Sequence, residues 1–252
     1  HHGNPQEGYW LTTSSGATYG FGNHKTLGPV RTRALNKPVV SMTAHKRAGY
    51  WLVGADGGVF NFGKANFYGS GTRRRFVGPV VGIAATPSGA GYWLVSAGGT
   101  VQPFGNASRY AETGTSHIVG AVAGMAATPD GRGYWLVGTD GVVETFGDAH
   151  SASQVGGDPL SGVIVGIAPT SNGKGYWLVA SNGGVFAFGE ASLKGSGASL
   201  DLPAPVVGLA PTPDDHGYWL ATANGGIYPF GDAVFKGSAQ NDGVGDSVVS
   251  VS

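Results

Sequence analysis

The chain has no cysteine and only two methionines among its 252 residues. Without cysteine no disulfide can hold the fold, so burial and hydrogen bonds must, and the redox compartment is left open. Charge is scarce: Asp, Glu, Lys and Arg make up 12% of the residues, fifteen basic against fifteen acidic. A neutral chain is no polycation for nucleic acid, and no nucleic-acid-binding module is legible in it. No apolar run approaches the roughly 18–20 residues of a membrane-spanning helix. The opening residues do not read as a secretory leader, and residues 1–7, starting His1-His2-Gly3, read as a tag remnant or a processed N-terminal tail. A free N-terminal histidine can bind copper, but no further histidine spacing suits a metal. Helical periodicity of apolar residues is also missing.

Glycine is abundant, at 47 residues, and hydrophobic content reaches 41%, enough for a packed core. A surface poor in lysine and rich in Gly, Ser, Thr and Asn leans towards an extracellular setting. All six tryptophans lie in one recurring phrase, Gly-Tyr-Trp-Leu, at Trp10, Trp51, Trp93, Trp135, Trp177 and Trp219. Their spacings are 41, 42, 42, 42 and 42 residues. A fixed period of this size governs the whole architecture.

Each unit reads as four strands. An apolar run such as Pro79-Val80-Val81-Gly82 comes first, then a Pro/Gly turn, then the Tyr-Trp strand. An Asp-Gly or Asn-Gly pair follows, as at Asp56-Gly57 and Asn182-Gly183, and predicts a type I′ hairpin. The third strand ends in Phe-Gly and a weaker fourth follows, as in "ANFYGS". Four antiparallel strands in about 42 residues match one propeller blade. The chain begins at the second strand, whereas Ser247-Val248-Val249 supplies a first strand at the other end. The expectation is an all-β, six-bladed β-propeller over 8–252, closed by a C-terminal strand at about 247–252 that joins the N-terminal blade. Blades that stack bury both faces, so Tyr50 and Leu52 should meet one neighbour and Trp51 and Val53 the other.

The stretch "GYWLVASNGGVFAFGEASLKGS", residues 175–196, resembles a repeat common in secreted and wall-associated actinobacterial proteins, and the likeness covers residues 8–252. It implies a secreted or wall-associated propeller module, often joined to cell-wall hydrolases or peptidases. The Ser181-Asn182-Gly183-Gly184 turn is loosely similar to the Asp-box of sialidases, a turn-stabilising device outside their catalytic site. The tachylectin and tectonin propellers, which bind glycans, are similar in their Trp-rich blades and Asp-Gly turns.

The innermost strands hold no Asp, Glu, Asn, Lys or Arg, which argues against a calcium site in the channel. No Gly-x-Ser-x-Gly nucleophile elbow is present. The reading is therefore a binding module with no metal, no cofactor and no enzymatic activity; a glycan-active hydrolase is the third-ranked alternative. Glu144 stands where other copies carry an aromatic residue, and reads as a ligand-facing slot or, less often, a catalytic acid. Charge is unevenly spread: residues 1–126 hold eleven Lys/Arg against three Asp/Glu, and residues 127–252 four against twelve. Arg31, Arg33, Arg73, Arg74 and Arg75 fall on neighbouring connectors, with Tyr68 and Phe76 close by as stacking surfaces. Such a rim is a solvated surface, a patch for an anionic cell-wall polymer, or a contact between copies with opposite-charge halves. The six tryptophans are core in this reading, with some indole edges free to stack on a sugar between blades. The partner expected first is a cell-surface or wall glycan; the alternative is a scaffold that self-associates.

Overall fold

The structure is a computed structural model that describes residues 8–31, 34–45, 48–111, 117–156, 160–240 and 246–252. It is all-β. The strands in chain order are β1 (Gly8–Thr13), β2 (Thr18–Gly22), β3 (Val39–His45), β4 (Gly49–Gly54), β5 (Val59–Gly63), β6 (Val80–Ala85), β7 (Gly91–Ser96), β8 (Val101–Gly105), β9 (Val122–Ala127) and β10 (Gly133–Gly138). They continue with β11 (Val143–Gly147), β12 (Gln154–Gly156), β13 (Ile164–Pro169), β14 (Gly175–Ala180), β15 (Val185–Gly189), β16 (Val206–Pro211), β17 (Gly217–Thr222), β18 (Ile227–Gly231) and β19 (Val248–Val251). They form six small antiparallel sheets, with the Tyr-Trp strand in the middle of each trio. Sheet 1 is β19-β1-β2, so its inner strand comes from the far end of the chain; Leu11 pairs with Val251 and Thr12 with Ser250.

The repeated phrase explains how the sheets meet. Alternation along β4 sends Trp51 and Val53 into a cluster with Tyr92 and Leu94 of the third sheet, and Tyr50 and Leu52 into one with Trp10 of the first. The same pairing recurs at each junction, including Trp219 of the sixth sheet against Tyr9 and Leu11 of the first. Trp–Tyr centroids lie 5.2–6.0 Å apart at tilted angles, a favourable geometry for two π-systems. A backbone bond accompanies each junction. The first residue of an inner strand donates its N–H to a turn carbonyl of the preceding sheet: Val39 to Ser14, Val80 to Ala55, Val122 to Ala97, Ile164 to Thr139, Val206 to Ser181 and Val248 to Ala223, at 2.8–3.1 Å.

The outermost segment differs from expectation in two respects. It is a strand only in β12, among the described residues, and it flanks the sheet that follows rather than its own unit. Thus β12 leaves the fourth sheet and pairs with β15 of the fifth. Tyr68, Tyr110 and Lys194 likewise lie against Gly105, Gly147 and Gly231 of the next third strands. Side-chain bonds replace the ladder. Each tryptophan Nε1–H donates to a carbonyl fifteen residues on, from Trp10 to Lys25 through Trp219 to Val234, at 2.6–2.9 Å. The next sheet's tyrosine hydroxyl then takes a carbonyl further along, as Tyr92 does with Gly69 and Tyr9 with Gly237. Sheet 1 is therefore shared: the C-terminal part supplies its inner strand and outer flank, and the N-terminal part the two strands between.

The hairpin turns also differ. Only the residue after Asp56 has positive φ, at Gly57 (83°), and Gly54 exchanges hydrogen bonds with Gly57 and Gly58. This is a type I turn closed by a left-handed glycine, not a type I′ pair; Asp56 Oδ1 accepts the Gly58 N–H at 2.9 Å.

The free edges of the inner strands show two solutions to one problem, an amide that points away from its own ladder. Ser252 Oγ accepts from Ala44 N at 3.0 Å and Thr43 Oγ1 from Ala85 N at 3.3 Å. In sheets 5 and 6 the equivalent residues are Pro169 and Pro211, which have no N–H. At sheet 4 the amide belongs to Ala127, and the preceding sheet offers Ala84 in place of a hydroxyl.

Two outcomes follow. Ala84→Ser is expected to raise unfolding free energy by about 0.5–1.5 kcal/mol in urea melts by giving the Ala127 amide an acceptor; a loss would refute the equivalence. Deleting residues 246–252 removes β19 and its hydroxyls, and calorimetry should show a fall in Tm of roughly 10 °C or more.

Candidate functional site

The connectors that leave each outer segment dock on the hairpin turns. Val30 N–H donates to Gly16 O at 3.0 Å and Gly71 N–H to Gly57 O at 2.7 Å, which places Arg31 and Arg73–Arg75 beside the turns of adjacent sheets. A single 3-10 turn, Gly71–Arg73, fixes the second connector, and Ser70 Oγ–H donates to Gly57 O at 3.1 Å. The glycine at 71 lets Phe76 pack close, since a Cβ there would stand 2.8 Å from Phe76 Cε2. Arg31, Arg73, Arg74 and Arg75 are all exposed. Among the described residues none of the four is ion-paired with a carboxylate. The Arg74 guanidinium lies 5.8 Å from the centroid of Phe104, a cation–π arrangement that orients it on the third sheet. Arg33 lies outside the described residues.

The other residues singled out from the sequence serve different ends. Phe76 and Tyr68 are half-buried against the cluster built on Trp51 and Tyr92. The Tyr68 hydroxyl donates to Gly89 O at 3.2 Å. Glu144 has a side chain only 16% exposed; its Oε1 accepts the Ile118 N–H at 2.8 Å and lies 4.0 Å from His117 Nδ1. It anchors the connector to its own sheet. The tryptophans are 0–4% exposed, with their faces taken by neighbouring rings. Burial also raises the phenols of Tyr9, Tyr50, Tyr92, Tyr134, Tyr176 and Tyr218, that of Tyr134 to about 12, so they stay protonated at physiological pH.

The turns between first and second strands carry a pattern missed in the sequence, although a 42-residue column of Thr128, Thr170 and Thr212 signals it. Each threonine hydroxyl donates to a side chain two residues on, Asp130, Asn172 or Asp214, at 2.8 Å. Thr128 and Thr212 also meet an acid from the end of the third strand, Asp148 or Asp232, at 3.1 and 3.4 Å. In sheet 4, burial and the neighbouring Asp130 raise Asp148, while the Arg132 N–H lowers Asp130. In sheet 6 the Thr212 hydroxyl lowers Asp214 to about 2. One ligand atom each from Asp214, His216 and Asp232 lies within 4.8 Å of the others, at exposed positions. The His216–Asp214 contact at 3.3 Å occupies the place held by Arg132–Asp130 in sheet 4.

The inner strands line cavities of about 500, 160 and 330 Å³, the first from five sheets and the other two from all six, reached by successive residues along the strands. Among the described residues no Asp, Glu, Lys, Arg or His lines any of the three. No protein-family model and no curated protein matches the chain.

Because Asp214 holds its proton more weakly when folded, its ionisation stabilises the fold above the ordinary carboxylate range, near pH 4. That contribution fades as the pH falls through about 2. In thermal melts between pH 5 and 2, Asp214→Asn should show a shallower loss of Tm than the parent; parallel curves would exclude the Thr212 bond as the cause.

Proposed function

We propose that the six sheets are the blades of a closed six-bladed β-propeller, and that the molecule is an extracellular binding module for an anionic glycan or wall polymer. The propeller reading draws support from the repeated Trp–Tyr junction and from the six backbone bonds that lead from each sheet to the next and from the sixth to the first. The similarity of residues 175–196 to a secreted actinobacterial repeat supports the location. The observation that carries the binding reading is the exposed arginine group on two adjacent connectors, Arg31 with Arg73, Arg74 and Arg75, which has no carboxylate partner among the described residues. A guanidinium fork matches a phosphate or uronate group in geometry as well as in charge. Residues held on docked connectors above a rigid scaffold are well placed for such contacts. The buried tryptophans offer no free face to a sugar, so recognition rests on charge and on the connectors.

The test is binding to immobilised uronate polysaccharide and teichoic-acid-type polymer at low and at physiological salt. Saturable binding that weakens with salt is expected, and Arg73→Gln with Arg74→Gln should weaken it by roughly tenfold or more per arginine engaged. Equal affinity in parent and variant would overturn the assignment. A second reading, head-to-tail association of copies, draws on the division of eleven basic residues against three acidic in one half and four against twelve in the other. Sedimentation without polymer would then show salt-sensitive oligomers.

A further inference from the structure

We infer that the wider mouth of the central cavity is a binding site for a compact neutral molecule with an aliphatic body and one hydroxyl or carbonyl end. This site does not involve the arginine sector. Its cavity, about 500 Å³, lies within the usual range for small-ligand pockets. It opens on the side of the hairpin turns, because its lining includes Thr139, Ser181 and Ala223 at the starts of those turns.

The chemistry of the lining selects the ligand. The apolar wall comprises Val81, Ala123, Val163, Val165, Val207 and Val249, one or two from each of five sheets. All six are half-buried or exposed, and Val163 is 54% exposed. Aliphatic groups that converge on one concave spot while open to water keep a hydration cost that an apolar ligand would relieve. None of the described lining residues is titratable, so an ion seated against them would lose hydration and find no counter-charge there. The described wall thereby selects against a charged ligand.

Polar contacts are present in small number. Thr139, Ser181 and Ser247 contribute hydroxyls to the wall, and among the described residues none of the three side chains makes a hydrogen bond. Beneath the valines the next layer along the strands is Ser41, Gly82, Gly124, Gly166, Gly208 and Ser250. Glycines there leave main-chain polar groups uncovered, so the floor is polar and a purely hydrocarbon chain gains nothing by going deeper. A few fixed polar groups against a mostly apolar wall is the usual composition of a site that orients a small neutral ligand.

The experiment uses the full chain with labelled Val, Leu and Ile methyl groups, and n-hexanol, hexanoate and hexylammonium as probes. Saturable methyl shifts centred on Val81, Val165, Val207 and Val249 are expected with hexanol. Hexanoate and hexylammonium should bind at least roughly tenfold more weakly, the consequence of an unpaired charge in an apolar site. Val163→Glu, at an exposed rim position that leaves the core untouched, should abolish the hexanol shifts, whereas Leu193→Glu, exposed elsewhere, should leave them unchanged. Ser181→Ala should weaken hexanol binding several-fold with no change in Tm. Non-saturating shifts, shifts spread over the surface, or equal response to the charged probes would each overturn the inference, whatever the polymer experiment shows.

Discussion

Six N–H···O=C bonds, each from the head of an inner strand to a turn of the sheet before it, are the constraint on which the other features depend. Aromatic contact alone would tolerate sliding, since tilted rings are favourable over a range of separations. A directional bond at one fixed residue sets the register between sheets and brings each Trp over its Tyr. It also fixes where the inner strands stand relative to one another, and so the width of the cavity they enclose. Each bond is worth little net. Its recurrence at six junctions, Val248 to Ala223 among them, gives a weak bond its structural weight.

The aromatic phrase ties three elements at once. Its ring faces fill the gap between sheets, the indole N–H holds the segment that leaves one sheet, and the phenol of the next sheet receives it further on. This is why tryptophan, and not phenylalanine, recurs in all six copies: a donor is needed at the end of a large apolar body.

Much of this was legible from sequence. Alternation, turn residues and the 42-residue period placed the three strands of each sheet, and the stray Val248-Val249 run announced that the last strand belongs with the first. The outer segment was misplaced because period alone does not say which of two neighbouring edges it follows. That choice is made by bonds to Trp51 and Tyr92, residues 41 apart in the chain. Turn type was missed because Asp-Gly serves two geometries, and only a third residue, Ala55, separates them. At the surface, charge was easier to read than orientation. Arg73–Arg75 point outward as their composition suggests, whereas Glu144 turns inward to an amide whose position only the folded connector determines.

The sharing of sheet 1 has a mechanical consequence. Because β1 and β19 run antiparallel, Gly8 and Ser252 emerge at the same end of the pair, and the Trp10 and Ser252 main chains exchange hydrogen bonds there, at 2.8 and 3.1 Å. A force that pulls these two ends apart loads the bonds of the pair one after another, as a zipper opens, instead of shearing them together. The sheet that joins the two ends of the chain is thus the one that yields first under tension between them, while a load borne by either end alone leaves it shut.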